Sequence, residues 1–211
     1  MKQLKQIIQE KLKIGSKTRV KSYKYYPKNE TELSSIIKEL IENEGSDANL
    51  NIIDTSQITN MSAIFSGCKP EGVGKIKIDD WDVSNVKNMR NMFLRCENFD
   101  CDLSKWDVSK VQDMSGMFYK CKKFNQDISK WHVSRVETME DMFNGCHEFN
   151  QDISKWDVSK VISMERMFSA CHSFNQNLDS WKIKEDCDTE SAFNFCRSLK
   201  KIPKWYVYEE D

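Results

Sequence analysis

Large apolar residues recur along this chain at a fixed interval. Tryptophan, cysteine and phenylalanine each return every 25 residues, and the same register extends outward to Leu50 and to Val207 with steps of 28 and 24. A fixed period of about 20 to 50 residues is typical of stacked repeat architectures. The three series are Trp81, Trp106, Trp131, Trp156 and Trp181; Cys96, Cys121, Cys146, Cys171 and Cys196; and Phe93, Phe118, Phe143, Phe168 and Phe193.

Within one repeat the hydrophobic period changes. The stretch "ISKWHV" ends in the apolar–polar–apolar alternation of a strand, whereas Val136, Met139 and Met142 are spaced by three, as in a short helix or 3₁₀ turn. The pattern therefore predicts an α/β repeat solenoid with one parallel sheet, and short helices or 3₁₀ turns on the opposite side. The strand-like arcs are expected at 53–55, 81–83, 106–108, 131–133, 156–158, 181–183 and 205–207.

The repeat also resembles a known family. The run "FNQDISKWDVSKV", followed by M-x-x-M-F-x-x-C, is similar to the BspA-like leucine-rich repeat, which is also a repeat of mycoplasma-type surface lipoproteins. The lead-in "YKYYPKNETELSSIIKELIENEGSDANLNIIDTSQITNM" resembles the segment that precedes such repeats. The resemblance covers about residues 23–205. It implies a leucine-rich-repeat-like right-handed coil with binding or adhesive roles, and it implies no reaction.

The segment before the repeats predicts a helical cap. Asn29 and Glu32 can form a capping box, and Gly45 stands where a helix over 30–43 would end. Leucine and isoleucine residues recur within this segment at helical spacing, so one face of the helix can cover the first repeat. The domains expected are a basic amphipathic helix at 1–22, a capping helix at 23–49 and a leucine-rich-repeat-like solenoid at 50–211.

Charge is unevenly distributed along the chain. The net charge is −1, but residues 1–28 hold nine basic residues against the single acid Glu10. This asymmetry indicates either a solvated helix or a basic arm for nucleic acid. Neither a signal peptide nor a membrane span is recognisable, so a cytoplasmic location is expected, with the cell surface as the alternative if a leader was removed.

Eight cysteines raise the questions of disulfides, metal binding and packing. Stacked cysteines have parallel Cβ directions that suit a disulfide poorly, and no C-x-x-C pair is present for zinc. We therefore expect the periodic cysteines to be small buried residues. Cys101 and Cys187 lie outside the series and are the better candidates for reactive thiols. No metal, cofactor or catalytic residue is predicted, and the chain is expected not to be an enzyme.

Repeated polar residues have two interpretations. The Asn125, Asp102 and Ser104 columns and their equivalents suit turns that recur in each repeat, so we expect them to be structural. The residue between the two apolar positions of each arc, and the residue two positions before it, should instead face solvent. We expect partner binding there and on the variable helical segment, at Asp82, Lys105, Asp107, Lys130, His132, Lys155, Asp157, Lys182, Tyr119 and His147. The alternative is a solvated face whose opposite charges neutralise each other.

These observations predict a non-enzymatic repeat protein that binds another protein through its extended surface. Three alternatives stay open: a cell-surface adhesin of the BspA-like type, an inhibitor encoded by a phage or mobile element, and nucleic-acid binding through the basic N-terminus. The sequence does not fix an oligomeric state.

Overall fold

The computed structural model describes residues 22–65 and 73–207. Within these residues it contains one α-helix, α1 (Glu30–Glu44), and two 3₁₀ helices, Gly45–Asp47 and Leu50–Ile52. Parallel pairing occurs there only as isolated bridges, without a β-strand. The predicted α/β leucine-rich-repeat-like solenoid with one parallel sheet is therefore wrong. Except for Ser22, the helix predicted at 1–22 lies outside the described residues.

Helix α1 is the predicted capping helix. Asn29 Oδ1 accepts a hydrogen bond from the backbone N–H of Glu32 at 3.0 Å, and Gly45 closes the other end with φ 75°. The side chains of Leu33, Ile37, Leu40 and Ile41 are buried. Ser34 Oγ donates to the carbonyl of Ile64 at 3.1 Å, which fixes α1 against the first repeat.

Each repeat is built from consecutive tight turns. In each turn the backbone N–H of one apolar residue donates to the carbonyl of the apolar residue three positions earlier. A three-residue apolar spacing can thus be produced by turns as well as by a helix. The predicted strand arc 131–133 lies between two such turns, since one turn ends at Trp131 and the next begins at Val133. The bonds in one repeat run from Trp131 to Ile128, Val136 to Val133, Met142 to Met139, Cys146 to Phe143 and Phe149 to Cys146, at 2.9–3.3 Å.

Successive repeats are joined by a second set of backbone hydrogen bonds, which we call the forward ladder. The N–H groups of Met89, Asn91, Phe93 and Arg95 donate to carbonyls of the next repeat at 2.7–2.9 Å. Asn91 and Arg95 have φ values of 56° and 61°. These left-handed residues interrupt the extended backbone that a strand requires, so the repeats are hydrogen bonded without forming a sheet. Five of the seven single bridges among the described residues follow one column of the repeats, namely Asn60–Asn88, Asn88–Asp113, Asp113–Thr138, Thr138–Ser163 and Ser163–Asp188.

The core consists of identical side chains stacked from repeat to repeat. The rings of Phe118 and Phe143 lie 5.7 Å apart with an interplanar angle of 4°, and those of Trp131 and Trp156 lie 6.4 Å apart, also at 4°. Each indole also donates from Nε1 to a carbonyl of the preceding repeat, as from Trp156 to Ile128 at 3.2 Å. The predicted placement of indole over indole is confirmed for these residues.

The polar columns satisfy the backbone, as predicted. Asp127 Oδ1 accepts from the N–H of Ser129 at 2.9 Å, and Asp102 and Asp152 accept in the same way from the serine two residues later. The asparagine column works between repeats instead, since Asn150 N–H donates to Asn125 Oδ1 at 2.9 Å. Local turn chemistry therefore accounts for the aspartates, and a ladder accounts for the asparagines.

These aspartate turns predict a loss of stability in acid. Hydrogen bonds from the serine that follows lower the pKa of Asp102, Asp127 and Asp152 below the ordinary value of 3.8. A lowered folded-state pKa stabilises the protein above the unfolded-state pKa, and this stabilisation disappears as the pH falls through the folded-state value. We expect the urea concentration at the unfolding midpoint to decrease as the pH is lowered below about 4.

The matched variant is Asp102→Asn/Asp127→Asn/Asp152→Asn, because asparagine keeps the accepting oxygen and does not titrate. Its urea midpoint should fall less steeply than that of the wild type between about pH 4 and pH 2.5. Equal slopes would show that these three turns do not control the acid sensitivity.

Candidate interaction surface

The predicted binding residues of the arcs all lie on the surface. We call this set the charged face; its members are Asp82, Lys105, Asp107, Lys130, His132, Lys155, Asp157 and Lys182, and each is exposed. Each follows or precedes a buried tryptophan of the stack. Because successive tryptophans stack, equivalent charged residues of neighbouring repeats form rows along the molecule.

The aspartates of the charged face are used by the fold. Asp82, Asp107 and Asp157 each accept a hydrogen bond at Oδ1 from the backbone N–H two residues later, at 3.0–3.1 Å. The hydrogen bonds from Ser109 and Ser159 lower the pKa of Asp107 and Asp157. This row therefore forms turns, and the lowered pKa keeps Asp107 and Asp157 ionised at neutral pH.

The lysines of the charged face have fewer partners. Lys105 Nζ lies 3.7 Å from Asp79 Oδ2, and both side chains are largely solvated. Within residues 22–65 and 73–207, no ion pair joins Lys130, Lys155 or Lys182 to a carboxylate within 4.0 Å. The lysines therefore make no ion pair within 4.0 Å to the aspartates of the charged face, although the charge of Lys182 adds to the turn hydrogen bonds that lower the pKa of Asp157.

Tyr119 and His147 lie in other columns and are half-buried. The ammonium of Lys120 lies 5.0 Å from the centre of the Tyr119 ring. The imidazoles of His147 and His172 stack 4.4 Å apart at 19°. Burial, followed by the neighbouring His172, lowers the pKa of His147. Stacked imidazoles direct their in-plane lone pairs nearly parallel, so this pair does not converge on a metal ion.

The cysteines are placed as packing residues. Cys121, Cys146 and Cys171 are buried, and each Sγ donates to a phenylalanine carbonyl of the preceding repeat at 2.9–3.0 Å. Burial raises the pKa of all three thiols. Cys68 lies outside the described residues.

The two candidate reactive thiols are not activated. Burial raises the pKa of Cys101 to about 12 and that of Cys187 to about 11. Both are therefore neutral thiols at physiological pH, and a thiolate is the form that reacts. No group of three or more histidine, cysteine, aspartate or glutamate side chains suited to a metal ion occurs in the part of the chain that the structure describes.

A second surface lies at the C-terminal end of the stack and was missed from the sequence. A groove of about 710 Å³ runs over the last repeat, lined among others by Ile183, Asp188, Ser191, Trp205 and Tyr206. The sequence signal was the last recognisable copy of the 25-residue register, at "IPKWYV".

The family comparison agrees with the repeat structure. Residues 31–136 and 102–205 both match the family described as "Mycoplasma protein of unknown function, DUF285". The chain belongs to the DUF285 family. The two matches overlap, as expected when one family model aligns to a periodic sequence in two registers. They confirm the resemblance to a mycoplasma-type repeat family, whereas the BspA-like assignment stays a prediction. No curated protein and no solved structure matches the chain.

Among the described residues of this DUF285 chain, no helix combines the length and the apolar composition that crossing a bilayer requires.

Proposed function

We propose that this DUF285 chain is a non-enzymatic binding protein that holds a protein partner against the charged face. One observation supports the proposal above the others: Lys105, Lys130 and Lys155 form an exposed row, and two of these three lysines make no ion pair within 4.0 Å to a carboxylate of the described residues. Turn hydrogen bonds, followed by the charges of these two lysines, lower the pKa of Asp127 and Asp152, so each lysine lies near a carboxylate that the turns already use. The fold uses the neighbouring aspartates but makes no comparable use of these ammonium groups.

The row carries an electrostatic cost that a partner would offset. Equivalent aromatic rings of neighbouring repeats lie about 6 Å apart, so the lysines of one row are close neighbours. Like charges that face each other across paired segments are unfavourable. Carboxylates on a partner would relieve this repulsion, and the rigid stack would lower the ordering cost of association.

The proposal also includes a relation of this chain to BspA-like proteins and a location in the cytoplasm. A BspA-like relation supports a binding role, although the sheet that a leucine-rich repeat implies is absent from the described residues. The seven described cysteines are free thiols, and this supports a reducing compartment such as the cytoplasm.

Affinity capture from a native lysate tests the charged face. The tagged wild-type chain is compared with Lys130→Glu/His132→Glu and with the control Lys123→Glu/Ser173→Glu. Both variants introduce the same change in charge at exposed positions. The partner should be retained by the wild type and the control and lost by the charged-face variant. A charged-face variant that retains every partner would exclude this face as the docking surface.

A further inference from the structure

Among the residues that the structure describes, the forward ladder has acceptors up to the repeat that contains residues 189–195 but none beyond it. At the preceding junction, the N–H groups of Met164, Arg166, Phe168 and Ala170 donate to carbonyls of the last repeat at 2.6–2.8 Å. The equivalent donors one repeat later are the N–H groups of Thr189, Ser191, Phe193 and Phe195. None of these four has an acceptor among the described residues. We call this row the open edge.

Apolar surface accompanies the open edge. The two most exposed large apolar side chains of the described residues, Phe195 at 74% and Val207 at 76%, both lie in the last repeat. The groove described above includes Thr189 and Ser191, and Trp205 and Tyr206 form part of its apolar wall. At the N-terminal end of the stack, helix α1 covers the corresponding apolar surface with its buried face. Within residues 22–65 and 73–207, the C-terminal end of the stack therefore combines unpaired donors with exposed apolar area.

The open edge is also acidic. Glu185, Asp186, Asp188 and Glu190 are all exposed, and Lys184 is the one basic residue among positions 184–190. An excess of carboxylates favours a cationic partner over an anionic one, and it disfavours the pairing of two copies through this same end.

We propose that the open edge binds a basic segment of repeat type from a partner protein. Its alternate carbonyls would accept from Thr189, Ser191, Phe193 and Phe195, an apolar side chain would pack on Phe195, and its lysines or arginines would face the acidic residues. Each repeat junction inside the chain already makes the backbone part of this contact, so the surface continues an interface that the fold uses repeatedly.

The chain itself contains a segment with this chemistry. Residues 110–124 carry four lysines and one aspartate, a net of +3, and their carbonyls at Asp113, Ser115, Met117 and Tyr119 accept the forward ladder of the preceding repeat. Residues 135–149 have the same apolar pattern but one arginine against four acids, a net of −3. The two segments form a matched pair of probes that differ chiefly in charge.

The test uses the full chain and two capped synthetic peptides, residues 110–124 with Cys121→Ser and residues 135–149 with Cys146→Ser. Binding is followed by NMR shifts and hydrogen exchange of the four open-edge amides. The basic peptide should shift these amides and slow their exchange. The acidic peptide should bind at least about tenfold more weakly, which corresponds to about 1.4 kcal/mol.

Two variants of the full chain locate the contact. Glu185→Lys/Glu190→Lys should weaken the basic peptide at least about tenfold, whereas Lys130→Glu/His132→Glu, on the charged face, should leave it unchanged. If the NMR signals of the open-edge amides do not shift at about 1 mM basic peptide, the proposal is overturned. The dissociation constant would then exceed about 1 mM, which corresponds to a binding free energy weaker than about 4 kcal/mol. Equal binding of both peptides would overturn the cationic specificity. Shifts that depend on protein concentration without peptide would instead identify a second copy as the occupant.

Discussion

Replacing Phe143 by alanine is expected to lower the free energy of unfolding by about 3–5 kcal/mol. The Phe143 side chain is fully buried in the middle of the stack. Its ring lies 5.7 Å from both Phe118 and Phe168 and 4.1 Å from Phe149. Alanine would leave a cavity between two repeat junctions, and neighbouring rings held by their own columns cannot close it without moving apart from their partners.

Urea unfolding of the two proteins, followed by tryptophan fluorescence, measures this effect. The control is Phe195→Ala, because the Phe195 side chain is 74% exposed and its loss should change stability by less than about 0.5 kcal/mol. A Phe143→Ala variant as stable as the control would contradict the stacked core.

The period of the repeat could be predicted from sequence because it depends on burial alone. Each tryptophan and phenylalanine of the series must be covered by its copies, and a 25-residue register places Trp131 over Trp156 whatever backbone lies between them. Helix α1 was predictable for a local reason, since Asn29 and Gly45 are cap residues at the correct distance.

The local backbone was predicted wrongly because three conformations share one apolar spacing. A spacing of three between apolar residues, as from Met139 to Met142, suits a helix, a 3₁₀ turn and a series of β-turns equally. The choice is made by the left-handed residues of the forward ladder. Asn91, Asp141 and Arg166 occupy one of these columns, and only Gly116 in that column signals a positive φ from sequence.

The candidate surfaces differ in how far sequence could reveal them. Exposure of the charged face followed from alternation around each tryptophan. The turn-forming role of Asp107 was not predicted, because its place between Trp106 and Val108 indicates exposure to solvent and does not reveal the turn that it forms. The open edge depends on the direction of the N–H groups at Phe193 and Phe195, which becomes known only when the forward ladder is seen.

Gly116→Ala tests the left-handed column directly and is expected to lower the free energy of unfolding by about 2–3 kcal/mol. Gly116 has φ 60°, a conformation that costs a residue with a Cβ about 1–2 kcal/mol. A Cβ at this position would also lie 2.1 Å from Asn91 Oδ1. The Asn91 side chain would have to leave its present rotamer, at a further cost of about 0.5–1.5 kcal/mol.

A double-mutant cycle separates the two contributions. In an Asn91→Ala background the steric conflict is gone, so Gly116→Ala should cost only the left-handed backbone contribution of about 1–2 kcal/mol. A coupling energy near zero between positions 91 and 116 would show that Asn91 moves freely. A Gly116→Ala variant of wild-type stability would contradict the left-handed conformation on which the forward ladder depends, because that conformation is what aligns alternate N–H groups with the next repeat.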